Sequence, residues 1–348
     1  MSPMILTLFL LSLGLGTSIT FASSHWLLAW MGLEINTLAI LPLMAQRPHP
    51  RAVEATTKYF LTQATAAALI LFASATNAWL SGHWGILDLS SPLAKTMMVM
   101  ALSLKLGLAP VHFWLPEVLQ GLDLATGLIL STWQKLAPFV LLIQIPSPNQ
   151  NLISLLALLS ILIGGWGGLN QIQARKVLAY SSIAHLGWML LVSQFSAPLA
   201  LLTLFTYILM TIPVFLLLKF THATSIGSLA MSWSKSTVLT ALAPLMLFSL
   251  GGLPPLSGFA PKWLILQELT KQGLPIIATI AAMMALLSLY FYLRMSYSAA
   301  LTMAPHTPPA SAPWRPAPQQ STTLLSLSAT ASVTMLPVLP TILSLFSL

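Results

Sequence analysis

The sequence predicts an all-α, polytopic membrane protein of about eleven transmembrane helices, two of them discontinuous. Three observations carry that reading. Only 6% of the 348 residues are charged and 57% are hydrophobic, against about 25% charged in soluble domains. The apolar residues are gathered into runs of the length a span needs, about 20 residues. Two of those runs contain Pro and Gly clusters that a continuous helix does not tolerate.

Taken in order and broken at charges and Pro/Gly clusters, the runs fall at about 3–22, 25–44, 54–80, 94–116, 124–145, 150–173, 176–194, 198–220, 237–270, 275–299 and 322–346. The first begins "MSPMILTLFLLSLGLG", with neither a basic leader nor an Arg-rich amphipathic stretch, so it is expected to be retained as a span. The sixth carries "GGWGG", with Gly164 and Gly168 at the spacing of closely packed membrane helices. The ninth is too long for a simple span and contains "GGLPPLSGFAP", so it is expected to be a broken helix. The stretch 305–318, "PHTPPASAPWRPAP", is expected to be an exposed loop. Residues 1–348 are expected to form one transmembrane domain, with a first half at about 1–145, a second at about 146–299, and a C-terminal loop and helix at about 300–348.

The basic residues give this count a direction. Arg47, Arg51, Lys58, Arg175, Lys176, Lys219, Lys235, Arg294 and Arg315 fall on one side of the membrane, whereas the opposite loops hold Lys95 and Lys271. That asymmetry is the positive-inside pattern. It places the N-terminus on the inner side and, with an odd number of spans, the C-terminus outside. The net charge of +8 thus reflects topology, not a nucleic-acid surface, which would gather far more basic residues on one face.

Three lysines belong to neither side. Lys105 and Lys135 lie deep in the fourth and fifth runs, Lys262 lies in the broken ninth, and Glu34 lies in the second. Each such charge costs about 2.5–3.5 kcal/mol at a helix centre. Four left unpaired would cost on the order of 10 kcal/mol, comparable to the stability of a whole domain. Ion pairs that lock helices together are one reading, but one carboxylate cannot neutralise three ammonium groups. The surplus points to a hydrated path. Lysine suits proton relay because desolvation lowers its pKa toward neutrality and a nearby carboxylate raises it again; arginine stays protonated. His112, just after Pro110, and His185 also lie at membrane depth. For both, a hydrogen-bonded core residue and a relay residue remain open readings.

An offset of 145 residues aligns "GLAPVHFWLPE" (107–117) with "GLPPLSGFAPK" (252–262), sharing Gly, Leu and two prolines. Helices interrupted at corresponding positions of two halves are the signature of inverted-repeat transporters, whose sites lie near the midplane. Lys105 precedes one break and Lys262 follows the other. There is no cysteine, which excludes disulfides and thiolate ligation of an iron–sulfur cluster by this chain. No nucleotide loop and no metal-spaced ligand cluster is found, so neither a cofactor nor a metal is expected here.

Together, "LKLGLAPVHFWLPEVLQG", "GGWGGLNQIQARKVLAYSSIAHLGWM" and "FSLGGLPPLSGFAPKW" resemble the antiporter-like membrane subunits of respiratory complex I, in the shortened animal mitochondrial form. The resemblance runs the whole length. It implies proton translocation across the mitochondrial inner membrane, with the N-terminus on the matrix side and the C-terminus on the intermembrane-space side. It also implies that NADH oxidation and ubiquinone reduction occur in other subunits, which hold the FMN, iron–sulfur clusters, NADH and ubiquinone. The partners implied are the other complex I membrane subunits, adjacent antiporter-like ones among them, and the lipid bilayer; no nucleic acid is expected. By the same resemblance Glu34 and Lys105 match the family's glutamate–lysine pair, Lys135 its central lysine and Lys262 its broken-helix lysine. His112 and His185 are further relay candidates. A stand-alone cation/proton antiporter and a structural subunit without a proton path of its own remain the rival readings.

Overall fold

The computed structural model describes residues 3–46, 49–146, 149–234, 237–301 and 322–345; Arg47, Lys235, Arg315 and the Pro-rich stretch 305–318 lie outside the described residues. No β-strand occurs among the described residues, and the chain divides into two compact units, Met1–Ser160 and Ile161–Leu348.

In the first unit, α1 (Pro3–Ala22) and α2 (Trp26–Met44) form a hairpin, and α3 (Pro50–Ser81) follows. Next come α4 (Pro92–Leu106), α5 (Trp114–Gly121), α6 (Leu124–Ser131) and α7 (Trp133–Gln144). Helix α8 (Gln150–Gly168) contains the boundary between the units. The second unit holds α9 (Ala174–Ser193), α10 (Ala197–Thr221), the short α11 (Ile226–Ala230) and α12 (Thr237–Gly251). It continues with α13 (Phe259–Lys271), α14 (Pro275–Ser296), α15 (Thr323–Thr334) and α16 (Leu339–Leu345).

Among the described residues, seven helical segments are long and apolar enough to cross a membrane, with α6 and α7 counted together as Leu124–Gln144. Three expectations need correction. The fourth run does not end near 116, because α5 continues to Gly121. The fifth run is interrupted at Thr132, so Lys135 lies in the first turn of α7 and not in mid-helix. The last run is split by a 3-10 turn at Leu336–Val338, where Pro337 removes a backbone donor.

Close packing at the glycine-rich sixth run is present. A Cβ on Gly164 would lie 2.6 Å from the backbone nitrogen of Ala184, so α8 and α9 approach as only a glycine permits. The end of α8 is closed by Arg294 of α14, whose guanidinium donates to the Leu169 carbonyl at 2.8 Å.

The two helix breaks share one backbone geometry. At the first, Gly107 has φ 80° and its N–H and that of Leu108 both donate to the Ser103 carbonyl. At the second, Gly252 has φ 76° and its N–H and that of Leu253 both donate to the Phe248 carbonyl. Each is a left-handed glycine closing a helix end. Each is followed at the same offset by a cis X-Pro bond, Ala109–Pro110 and Pro254–Pro255.

In apolar surroundings the polar groups freed by a break need donors and acceptors from the protein itself. Around the first break the Trp114 indole N–H donates to the Leu104 carbonyl at 3.0 Å, and the Ala109 N–H donates to Ser160 Oγ at 3.0 Å. At the second break the Lys262 ammonium donates to the Gly251 carbonyl at 2.7 Å. Glu117, at the far side of the first break, is half exposed and pairs with Lys58 of α3 at 2.7 Å; Lys58 also pairs with Glu54 at 2.7 Å.

Two outcomes follow for stability. Gly107→Ala forces an L side chain into the left-handed region and should cost about 1–2 kcal/mol, measured as a lower midpoint for thermal unfolding. Trp114→Phe keeps the ring but removes one donor to Leu104. It should cost about 1 kcal/mol and speed amide hydrogen exchange at the end of α4.

Candidate functional site: two buried lysine cavities

In the first unit the interruption of α4 and the start of α7 bring Lys105 and Lys135 to one cavity. It is lined also by Asn36, Thr37, Tyr59, Gln63, Gln134 and Trp114. Lys105 is 6% exposed and Lys135 2% exposed. The cavity is small, with room for about one water molecule. Its polar wall is held in place by backbone contacts. The Gln63 amide donates to the Lys105 carbonyl at 3.5 Å, and the Gln134 amide donates to the Asn36 carbonyl at 3.2 Å.

Glu34 belongs to the same neighbourhood without lining the cavity. It lies on α2 between Leu33 and Asn36, both of which line the cavity. No direct hydrogen bond joins Glu34 to Lys105, since the Lys105 ammonium and the buried Glu34 Oε2 each lack a hydrogen-bond partner among the described residues. Buried charged groups without such partners are costly, because apolar surroundings supply nothing in place of water. A set of groups kept at that cost can exchange protons in response to small shifts of its neighbours.

His112 is not among the residues lining this cavity. It is buried within the break, its ring against Phe113 at 4.3 Å and its Nδ1 3.3 Å from the Pro110 carbonyl. A carbonyl only accepts, so Nδ1 carries the proton and donates.

The second unit has its own cavity, lined by His185, Thr203, Thr206, Met210, Gly258 and Lys262, among others. His185 Nδ1 donates to the Ser181 carbonyl at 2.8 Å, which leaves Nε2 as the ring atom that gains or loses a proton. Its ring packs on Tyr207 at 5.4 Å. Lys262 is anchored across the break by its bond to Gly251, with a positive group at the negative end of α12.

The structure thus gathers Lys105 and Lys135 with Glu34 nearby, gathers His185 with Lys262, and leaves His112 apart from both cavities. Sequence reasoning missed Tyr59, Asn36, Gln63 and Gln134. A signal for the two glutamines was present: each is an amide inside an otherwise apolar run, and polar groups at that depth need a reason as charges do. Tyr59 carried no such signal, since a tyrosine in a span is ordinarily a packing or interfacial residue.

Residues 23–288 match the family model described as NADH:quinone oxidoreductase/Mrp antiporter, TM, and residues 289–343 match the model for the NADH dehydrogenase subunit 2 C-terminus. Among curated relatives, NADH-ubiquinone oxidoreductase chain 2 of Salmo salar is 66% identical over all of both chains. That of Carassius auratus is 64% identical over 99% of each. Among solved structures, a chain of respiratory complex I from Thermus thermophilus with bound Aureothin is 28% identical. It superposes with a TM-score of 0.84, covering 97% of this chain and 78% of that one. The chain belongs to the NADH-ubiquinone oxidoreductase chain 2 family, the antiporter-like membrane subunits of respiratory complex I.

Proposed function

We propose that this chain is a proton-translocating core subunit of complex I, and that Glu34, Lys105 and Lys135 form the relay of its first unit. The observation that carries this is the single cavity holding two buried lysines, one of them without a hydrogen-bond partner among the described residues, with a carboxylate on the helix that forms part of its wall. In that relay Lys105 takes up and releases a proton as its surroundings change, and Lys135 receives it across the shared cavity. Lys262 and His185 take the corresponding roles in the second unit, and His112 is a candidate extension at the first break.

In this reading the chain has about eleven spans and an inverted-repeat plan, which the matching geometry of the two helix breaks supports. It lies in the mitochondrial inner membrane with its N-terminus on the matrix side, supported by the skew of basic residues. NADH, FMN, iron–sulfur clusters and ubiquinone belong to other subunits, and adjacent antiporter-like subunits are its neighbours. Redox energy reaches it as charge displacement acting on Glu34 and Lys105.

Lys105→Met in the assembled complex, reconstituted into vesicles, is the decisive variant. Pumping per NADH oxidised should fall while the complex still assembles, because an apolar side chain of similar volume fills the same space. Unchanged pumping with normal assembly overturns the assignment. Lost stability with unchanged pumping supports a charge that merely locks helices. Lys262→Met should also reduce pumping, but at a cost of about 1–3 kcal/mol, because the Gly251 carbonyl loses its donor. The family model's shared description with Mrp antiporters favours one rival, a stand-alone exchanger. Purified chain that exchanges Na⁺ for H⁺ in liposomes without partners would establish it.

A further inference from the structure

Helix α15 lines neither cavity, yet one of its carbonyls is tied to the break that carries Lys262. Its 12 residues extend about 18 Å, short of a hydrocarbon core of about 30 Å. Its position is therefore set by what it packs against. Leu325, Ala329 and Ser332 are its buried residues, and their spacing of four and three puts them on one face. The helix packs on α10 and α12. Helix α10 lends Thr203, Thr206 and Met210 to the second cavity, and α12 ends at Gly251, whose carbonyl holds the Lys262 ammonium.

The last four carbonyls of a helix have no partner within it. In α15 these include the carbonyl of Ser332, a residue shut off from solvent. The Ser257 hydroxyl donates to it. Ser257 is itself 2% exposed and stands in the loop between α12 and α13. The Ser332 hydroxyl is turned back onto the Ala329 carbonyl of its own helix. The tie is thus main chain on one side and a single side chain on the other.

The loop that holds Ser257 has little slack. The next residue, Gly258, lines the cavity with Lys262, and a Cβ there would lie 2.9 Å from Met210 Sδ. At the start of the loop a Cβ on Gly252 would lie 3.0 Å from Lys262 Nζ. A loop packed that closely at both ends passes a shift at Ser257 on to the cavity wall and to the ammonium.

We propose that the hydrogen bond from Ser257 to the Ser332 carbonyl is a latch by which helix α15 holds the second break around Lys262. Ser257 is a positioning residue: it does not line the cavity and acts through Gly258. With the latch made, Gly258 stays in the cavity wall and Lys262 stays against the Gly251 carbonyl. With it broken, a buried carbonyl loses its donor and the loop is released from that geometry. Helix α15 contains no acidic, basic or histidine residue, so its part in the relay is to hold the lysine's surroundings in place.

This rests on the assignment of Lys262 to the second relay, and the test separates the two. Ser257→Ala, Ser257→Thr, Ser332→Ala and Lys262→Met are each introduced into the complete complex. Proton pumping per NADH oxidised and amide hydrogen exchange across residues 256–262 are then measured. Ser257→Ala is expected to speed that exchange about fivefold, as loss of one neutral hydrogen bond implies, and to lower pumping per NADH. Ser257→Thr keeps the hydroxyl and is expected to restore most of both. Ser332→Ala keeps the accepting carbonyl and is expected to change neither. Equal effects of Ser257→Ala and Ser332→Ala overturn the latch, because packing then accounts for two buried hydroxyls alike. Normal pumping by Ser257→Ala beside impaired Lys262→Met overturns the latch, whatever the exchange rate, and leaves the relay standing. Normal pumping by Lys262→Met overturns the second relay and the latch's part in it. Failure of Ser257→Ala to assemble also overturns the latch, since the bond then holds the fold and not the break.

Discussion

A helix that stops inside an apolar interior has to find partners for the backbone groups it frees, and the rest of this structure depends on how that is done. Both interrupted helices end on a left-handed glycine, Gly107 and Gly252, which turns the chain and recovers part of the lost pairing through the Ser103 and Phe248 carbonyls. The remainder is met by side chains. Trp114 serves the end of α4 and Lys262 serves the end of α12. At the second break the interruption is therefore what gives a buried lysine a partner.

The two breaks solve this differently, and the difference bears on their lysines. At the second, the ammonium itself donates to the broken helix, so Lys262 is both a structural donor and a candidate proton carrier. At the first, an indole takes the structural part and Lys105 is left without a hydrogen-bond partner among the described residues. The aligned position of Lys262 in the first break is Glu117, which is half exposed and pairs with Lys58 instead.

The cavities are small, and their polar walls are tied to the backbone. Gln63 and Gln134 each donate to a main-chain carbonyl, of Lys105 and of Asn36, so moving a helix moves the wall with it. His185 is fixed in one tautomer by the Ser181 carbonyl. Fixed donors and acceptors of this kind leave little to reorganise when a neighbouring group changes charge.

Much of this was legible in the amino-acid sequence. Scarcity of charge and the length of the apolar runs determined an all-helical membrane chain, because a bilayer leaves a spanning backbone few other ways to pair its polar groups. The aligned prolines marked the two breaks, and subtracting the loop charges left Lys105, Lys135 and Lys262. The interruption at Thr132 had no proline or glycine of its own to announce it, and the split of the last run at Pro337 passed as a continuous span. Only the tertiary structure decided which buried groups meet. That Lys105 and Lys135 share a cavity, that Trp114 and not a lysine closes the end of α4, and that Tyr59 lines the cavity of both lysines are facts about side chains from distant parts of the chain. Periodicity and composition describe one helix at a time, whereas a proton path is defined by the contacts between helices.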